Sequence, residues 1–130
     1  MPAMVMKHED DPRRTILDKV GALFDFEVLG NWVLVGVYIR PEKTKSGIYL
    51  ADSTRKEDEY QGKAGLVLKK GPSAFIDDAS TEFHGQNVEP GDWIGFRASD
   101  GWQITVNGVL CRMLQDVHIR AKVASPDMIW

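Results

Sequence analysis

Residues 102–114, WQITVNGVLCRML, carry the clearest fold signal in this chain. Two apolar runs flank the dipeptide Asn107-Gly108. Asparagine and glycine adopt positive φ at low cost, and a type I′ turn needs positive φ at both central positions. The sequence therefore predicts a tight β-hairpin here.

Four further stretches have the composition of strands. They are rich in β-branched and aromatic residues and are separated by glycine, proline and aspartate. These stretches are residues 26–39 (FEVLGNWVLVGVYI), 63–71 (KAGLVLKKG), 89–97 (EPGDWIGFR) and 116–123 (DVHIRAKV). Many short strands of this kind predict an all-β barrel or sandwich.

The segment before these strands is different in character. Residues 11–24, DPRRTILDKVGALF, predict a short helix with Asp11 as the cap and Pro12 at the first helical position. Its predicted apolar side consists of Ile16, Leu17, Val20, Leu23 and Phe24. We expect three parts: an N-terminal extension with this helix (1–28), a β-barrel domain (29–124) and a C-terminal tail (125–130).

Two long polar connections interrupt the β pattern, at residues 41–61 and 72–90. The first contains the apolar triplet Ile48-Tyr49-Leu50 between charged stretches. Connections of this length in a compact domain are usually functional or disordered. From the residues alone, a short buried strand is the favoured interpretation of the triplet. In the second connection, Phe75, Ile76 and Phe83 could anchor the chain or contact a partner.

Composition argues against several classes of function. The 130 residues carry a net charge of −3 and show no basic stretch, which argues against a nucleic-acid partner. There is no long apolar run that would span a membrane and no apolar leader, so we expect a cytoplasmic protein. Cys111 is the single cysteine and is expected to be a buried apolar residue. His8, His84 and His118 have no partners at metal-ligand spacing, so we expect no metal site.

Several motifs together resemble the GroES-like co-chaperonin (chaperonin-10) family. They are WVLV at residues 32–35, EKTKSGIYL at 42–50, QGKA at 61–64, Gly71-Pro72, VEPGD at 88–92 and the stretch 116–123. The resemblance covers roughly residues 31–123, and the motifs keep the family's order. The N-terminal extension, the tail ASPDMIW and the second connection depart from the family pattern. These additions resemble those of phage-encoded relatives.

The resemblance implies a small, partly open β-barrel with a mobile loop and a second, roof-type loop. It implies a seven-fold ring that caps a double-ring chaperonin, with the ATPase in that partner and no catalytic residue or cofactor in this chain. The loop residues that would bind the chaperonin are Thr44, Lys45, Gly47, Ile48, Tyr49 and Leu50. The ring would close between Val33, Leu34 and Val35 of the first strand and one face of the last strand, formed by Val117, Ile119, Ala121 and Val123.

Two other functions stay open at this point. The terminal additions are also compatible with a phage virion protein, such as a capsid, decoration or neck-ring component, that reuses the barrel. An enzymatic function is less well supported by the sequence than the other two. Zinc-dependent alcohol dehydrogenases contain a GroES-like domain, but this chain has one cysteine and no glycine-rich nucleotide fingerprint.

Overall fold

A computed structural model describes residues 11–40, 49, 51 and 63–129 of the chain. Within these described ranges the regular elements are one helix and six strands, with two short 3-10 turns at Asp116–His118 and Pro126–Met128. The elements are α1 (Pro12–Val20), β1 (Trp32–Val37), β2 (Ala64–Lys70), β3 (Trp93–Phe96), β4 (Trp102–Val106), β5 (Val109–Gln115) and β6 (Ile119–Val123).

The six strands form one antiparallel sheet in the order β4-β5-β1-β2-β3-β6. This arrangement confirms the predicted all-β fold of the small GroES-like type. The hairpin β4-β5 turns at Asn107 (φ 51°) and Gly108 (φ 80°), as its sequence predicts.

The sheet is covered by apolar residues on both faces. One layer, the helix-side core, joins Leu34, Leu66 and Trp93 of the sheet to apolar residues of the N-terminal segment and the tail. The other layer, the loop-side core, joins alternate strand residues such as Val35 and Ile94 to residues of the connection 72–90. Neighbouring residues of β1 therefore enter different cores, which explains why this strand is apolar throughout.

Helix α1 begins as its sequence predicts, but it ends at Val20, before the predicted end at Phe24. The Asp11 carboxylate accepts a hydrogen bond from the Arg13 amide at 3.1 Å, and Gly21 ends the helix at φ 69°. The helix packs on the body, where Val20 is buried. The predicted apolar side was wrong for Leu17, which is 40% exposed, and for Phe24, which is 92% exposed. Phe24 lies beyond the helix end, where helical periodicity no longer places its side chain.

The last strand is shorter and less regular than predicted. Val117 lies in the 3-10 turn before β6 and is 44% exposed. Within β6 the register shifts between Ala121, paired with Gly95, and Ile119, paired with Phe96. This bulge turns Ile119 towards the loop-side core, while Val123 packs on the helix-side core. The prediction that Val117, Ile119, Ala121 and Val123 share one face is therefore wrong.

The connection 72–90 is held by its own side chains. The rings of Phe75 and Phe83 meet edge to face with centroids 5.4 Å apart, and Phe75 packs on the loop-side core. The Asp78 carboxylate accepts hydrogen bonds from the Ser80 and Thr81 amides, both at 2.8 Å. Ile76 is 60% exposed and does not anchor the connection.

Candidate functional site

The motif that carries the resemblance lies in the connection between β1 and β2. Thr44, Lys45, Gly47, Ile48 and Leu50 lie outside the described residues. Tyr49 is described, and its side chain is 64% exposed. The docking role of this motif stays a prediction.

The two ends of this connection, which we call the roots, are residues 38–40 and 63–64. They leave the sheet side by side. The Tyr38 amide donates to the Ala64 carbonyl at 2.9 Å, and the Phe96 amide donates to the Lys63 carbonyl at 2.9 Å. The Tyr38 ring is buried and meets the Trp93 ring edge to face at 5.8 Å. The roots are thus anchored in the sheet and in the helix-side core.

The predicted subunit interface needs a correction at β1. Its two edges are both occupied within the chain, one by β2 and the other by β5. Val33, Leu34 and Val35 are each 0% exposed, so none of them can touch a neighbouring subunit. An apolar strand without alternation indicated burial on both faces, which is correct, but it did not indicate an unpaired edge.

The last strand remains available for an interface. Among the described strands, β6 pairs only with β3 and stands at one end of the sheet. Ala121 is exposed, and Ile119 and Val123 are half-buried. The backbone edge that faces away from β3 could accept a further strand.

A polar cluster that the sequence did not predict lies near the start of β6. The buried Arg112 guanidinium donates to the carbonyl oxygens of Ala98 and Asp100 and lies 5.6 Å from the Phe96 ring centroid. The Asp100 carboxylate accepts from Arg97 at 3.2 Å and lies 4.0 Å from Arg120. Residues of a strand alternate between its two faces, so Arg112 lies on the same face of β5 as Leu114, a core residue. This alternation could have indicated from the sequence that Arg112 is buried.

Electrostatics in this cluster favours the charged carboxylate. The hydrogen bond from Arg97 lowers the pKa of Asp100, and the charges of Arg97, His118 and Arg120 lower it further, although burial opposes them. Burial lowers the pKa of Arg112, and the Asp100 charge opposes that effect. The cluster fixes the turn at residues 97–101 on β5 and is a structural feature of the barrel.

No group of three or more histidine, cysteine or acidic side chains in the described ranges is arranged to hold a metal ion. Cys111 is 0% exposed, and burial raises the pKa of its thiol to about 11, so it is an inert core residue as predicted. The His118 ring accepts a hydrogen bond from the Gln115 amide at 3.3 Å and is therefore part of the turn before β6. In the part of the chain that the structure describes, no helix has the length and apolarity needed to cross a bilayer.

Comparisons with known proteins give one family. The family model for the chaperonin 10 Kd subunit matches residues 25–123. The curated co-chaperonin GroES of Syntrophomonas wolfei subsp. wolfei (strain DSM 2245B / Goettingen) is 36% identical over 96 residues, which cover 73% of this chain and 94% of that relative. The family-model match contains every strand of the sheet and leaves α1 and the tail outside. Neither match points to a phage or to a virion protein, so the phage origin stays a prediction.

Proposed function

This chain belongs to the chaperonin 10 Kd subunit family, and we propose that it acts as a co-chaperonin. In this role several copies form a ring that closes a double-ring chaperonin and assists ATP-dependent protein folding in the cytoplasm. The ATPase belongs to the partner, and this chain performs no catalytic step. The observation that carries the proposal is the family match over residues 25–123, which spans the whole sheet and the connection with the motif.

The docking element of the proposal is the triplet Ile48-Tyr49-Leu50, with Thr44, Lys45 and Gly47 before it. Each large apolar side chain that becomes fully buried in a groove contributes about 1.5–3 kcal/mol. Ordering a segment on binding costs about 2–5 kcal/mol, so one loop alone binds weakly. A ring presents several such loops at once, and multivalency can raise the affinity by a factor of about 10²–10⁴. Such a lid binds firmly and still leaves when the chaperonin changes conformation.

Ring closure is proposed at the open edge of β6. Since β1 has no free edge, the neighbouring subunit must pair through a segment whose backbone is not used in its own sheet. Residues 26–29 precede β1 and belong to no strand of the described sheet, and Leu29 is 65% exposed. We propose that this segment of one copy lies along β6 of the next, in a ring of seven copies. Backbone pairing of this kind shields an edge that would otherwise promote aggregation.

The test is sedimentation with a bacterial double-ring chaperonin, with and without ATP. The wild-type chain should sediment with the chaperonin in the nucleotide-bound state only. The double variant Ile48→Ser, Leu50→Asp should stay in the supernatant. Ile76→Asp is the matched control, because it places the same charge on an exposed apolar residue of the other connection. Equal binding by the double variant and the wild type would refute the docking role, and absence of binding by the wild type would refute the function.

A further inference from the structure

The C-terminal tail is folded onto the body although it lies outside the family match. After β6 the chain makes a 3-10 turn at Pro126–Met128, and the Ser125 hydroxyl caps this turn by accepting from the Asp127 amide at 3.4 Å. Pro126 and Asp127 are both buried. A buried carboxylate must be hydrogen-bonded to be tolerated, so the partner of Asp127 is informative.

The tail contacts the sheet at the first root. The Asp127 carboxylate accepts a hydrogen bond of 2.6 Å from the Tyr38 hydroxyl, across 89 residues of sequence. Tyr38 is the residue that follows β1, and its amide is bonded to Ala64 at the second root. A short bond to a charged acceptor in a buried site is among the stronger hydrogen bonds in proteins.

The tail also contacts the strand next to the second root. Ile129 packs in the helix-side core, and its Cδ1 atom lies 2.8 Å from the position that a Cβ would take on Gly95. Gly95 is paired with Ala64, the first residue of β2. The absence of a side chain at Gly95 therefore makes room for the tail beside the root. One short segment therefore contacts the first root directly and the strand that pairs with the second root.

We propose that the tail is a clamp on the two roots, with Asp127 and Tyr38 as its positioning residues. The consequence for chaperonin docking rests on the proposed function. Docking of the loop on a partner restricts the backbone at both roots. Roots that are already fixed in the free protein lose less conformational freedom when the complex forms. Fixed roots also keep the loops of neighbouring copies in equivalent positions, which simultaneous docking requires. The tail follows residue 123, the last residue of the family match.

Hydrogen exchange at the roots tests the clamp without any chaperonin. In Tyr38→Phe and in Asp127→Ala, the amides of Tyr38 and Phe96 should exchange at least about tenfold faster, since the bond that resists local opening is lost. The double variant should exchange more slowly than the sum of the two single effects would give, because both changes remove the same bond. In Asp127→Asn an acceptor oxygen remains, so exchange should return to within about threefold of the wild-type rate.

Two control variants separate the clamp from a general loosening of the fold. Met128→Ala changes a residue of the same turn that is 61% exposed. Asn107→Ala removes the 2.7 Å bond that the side-chain Nδ2 of Asn107 donates to the Val20 carbonyl, which ties α1 to the hairpin. Both should leave exchange at Tyr38 and Phe96 unchanged. Equal acceleration in the controls, or no acceleration in Tyr38→Phe and Asp127→Ala, would overturn the clamp.

Binding separates failure of the clamp from failure of the function. If the wild-type chain binds the chaperonin, Asp127→Ala should weaken binding at least about threefold and Asp127→Asn should restore it. Faster root exchange with unchanged affinity would overturn the consequence for docking. If the wild-type chain binds no chaperonin, the proposed function fails, and the exchange rates at Tyr38 and Phe96 still decide whether the clamp exists.

Discussion

Arg112 donates a hydrogen bond of 2.8 Å to the backbone carbonyl of Asp100, and the same nitrogen donates one of 2.6 Å to the carbonyl of Ala98. Arg112 is only 6% exposed, and its guanidinium satisfies two carbonyl groups of the turn after β3. The turn packs tightly on β5, since a Cβ on Gly101 would lie 2.3 Å from the Met113 carbonyl oxygen. One buried arginine therefore joins the end of β3 to the hairpin β4-β5.

Removal of this arginine should destabilise the fold strongly. We expect Arg112→Met to lower the free energy of unfolding by about 2–4 kcal/mol, because the two carbonyl groups lose their charged donor inside the protein. Urea denaturation at fixed protein concentration measures the loss. Arg14→Met, at a site 81% exposed, is the control and should change stability by less than about 0.5 kcal/mol. Equal effects of the two variants would contradict this role.

Asp100 should make the fold sensitive to acid. Its pKa is held below the usual 3.8, mainly by the hydrogen bond from Arg97, so its charged form stabilises the folded state. This contribution is complete above the unfolded-state pKa and is lost as pH falls through the lower, folded-state pKa. Unfolding of the wild type and of Asp100→Asn should therefore differ most near neutral pH and converge below pH 3.8. A difference that stays constant between about pH 6 and pH 2 would contradict the assignment.

Cys111 should be unreactive in the folded protein. Its thiol has a pKa raised to about 11 by burial, against 9.0 for an exposed thiol. At pH 8 the folded chain then holds roughly a hundredfold less thiolate than the unfolded chain. Alkylation by iodoacetamide, followed by mass spectrometry, should be negligible in buffer and rapid in urea. Rapid modification of the folded chain would show that Cys111 is accessible.

The hairpin turn offers a test of backbone conformation alone. Gly108 has φ 80°, and a Cβ built there meets no atom within 4 Å. Gly108→Ala should therefore cost about 1 kcal/mol through positive φ and not through a clash. Gly108→Asn should cost less, since asparagine tolerates this region better than alanine. Thermal unfolding compares the two variants, and equal losses would argue against the positive-φ explanation.

Much of the fold could be predicted from local signals. Asn107-Gly108 indicated the hairpin, and Asp11-Pro12 indicated where the helix begins, because turn and cap preferences depend on neighbouring residues only. Strand pairing could not be predicted in this way. The apolar run of β1 is compatible with a central or an edge strand, and only the sheet order shows that β2 and β5 occupy both of its edges.

The candidate site was indicated by a motif in one place and hidden where contacts are long-range. The stretch EKTKSGIYL at 42–50 predicts a docking segment by resemblance, and that role stays a prediction. The bond between Tyr38 and Asp127 joins residues 89 positions apart, and no spacing rule brings them together. The bulge in β6 was equally hidden, because a register shift depends on the paired strand and reverses the face of Ile119.

A refolding assay in which this chain is the lid tests the co-chaperonin function directly. A denatured enzyme whose recovery requires a lid is diluted into double-ring chaperonin and ATP, and its regained activity is followed. We expect recovery with the wild-type chain and with Ile76→Asp, and none above chaperonin alone with Leu50→Asp. Recovery with Leu50→Asp equal to that of the wild type would contradict the docking role of the triplet. No recovery with the wild type would contradict the co-chaperonin function.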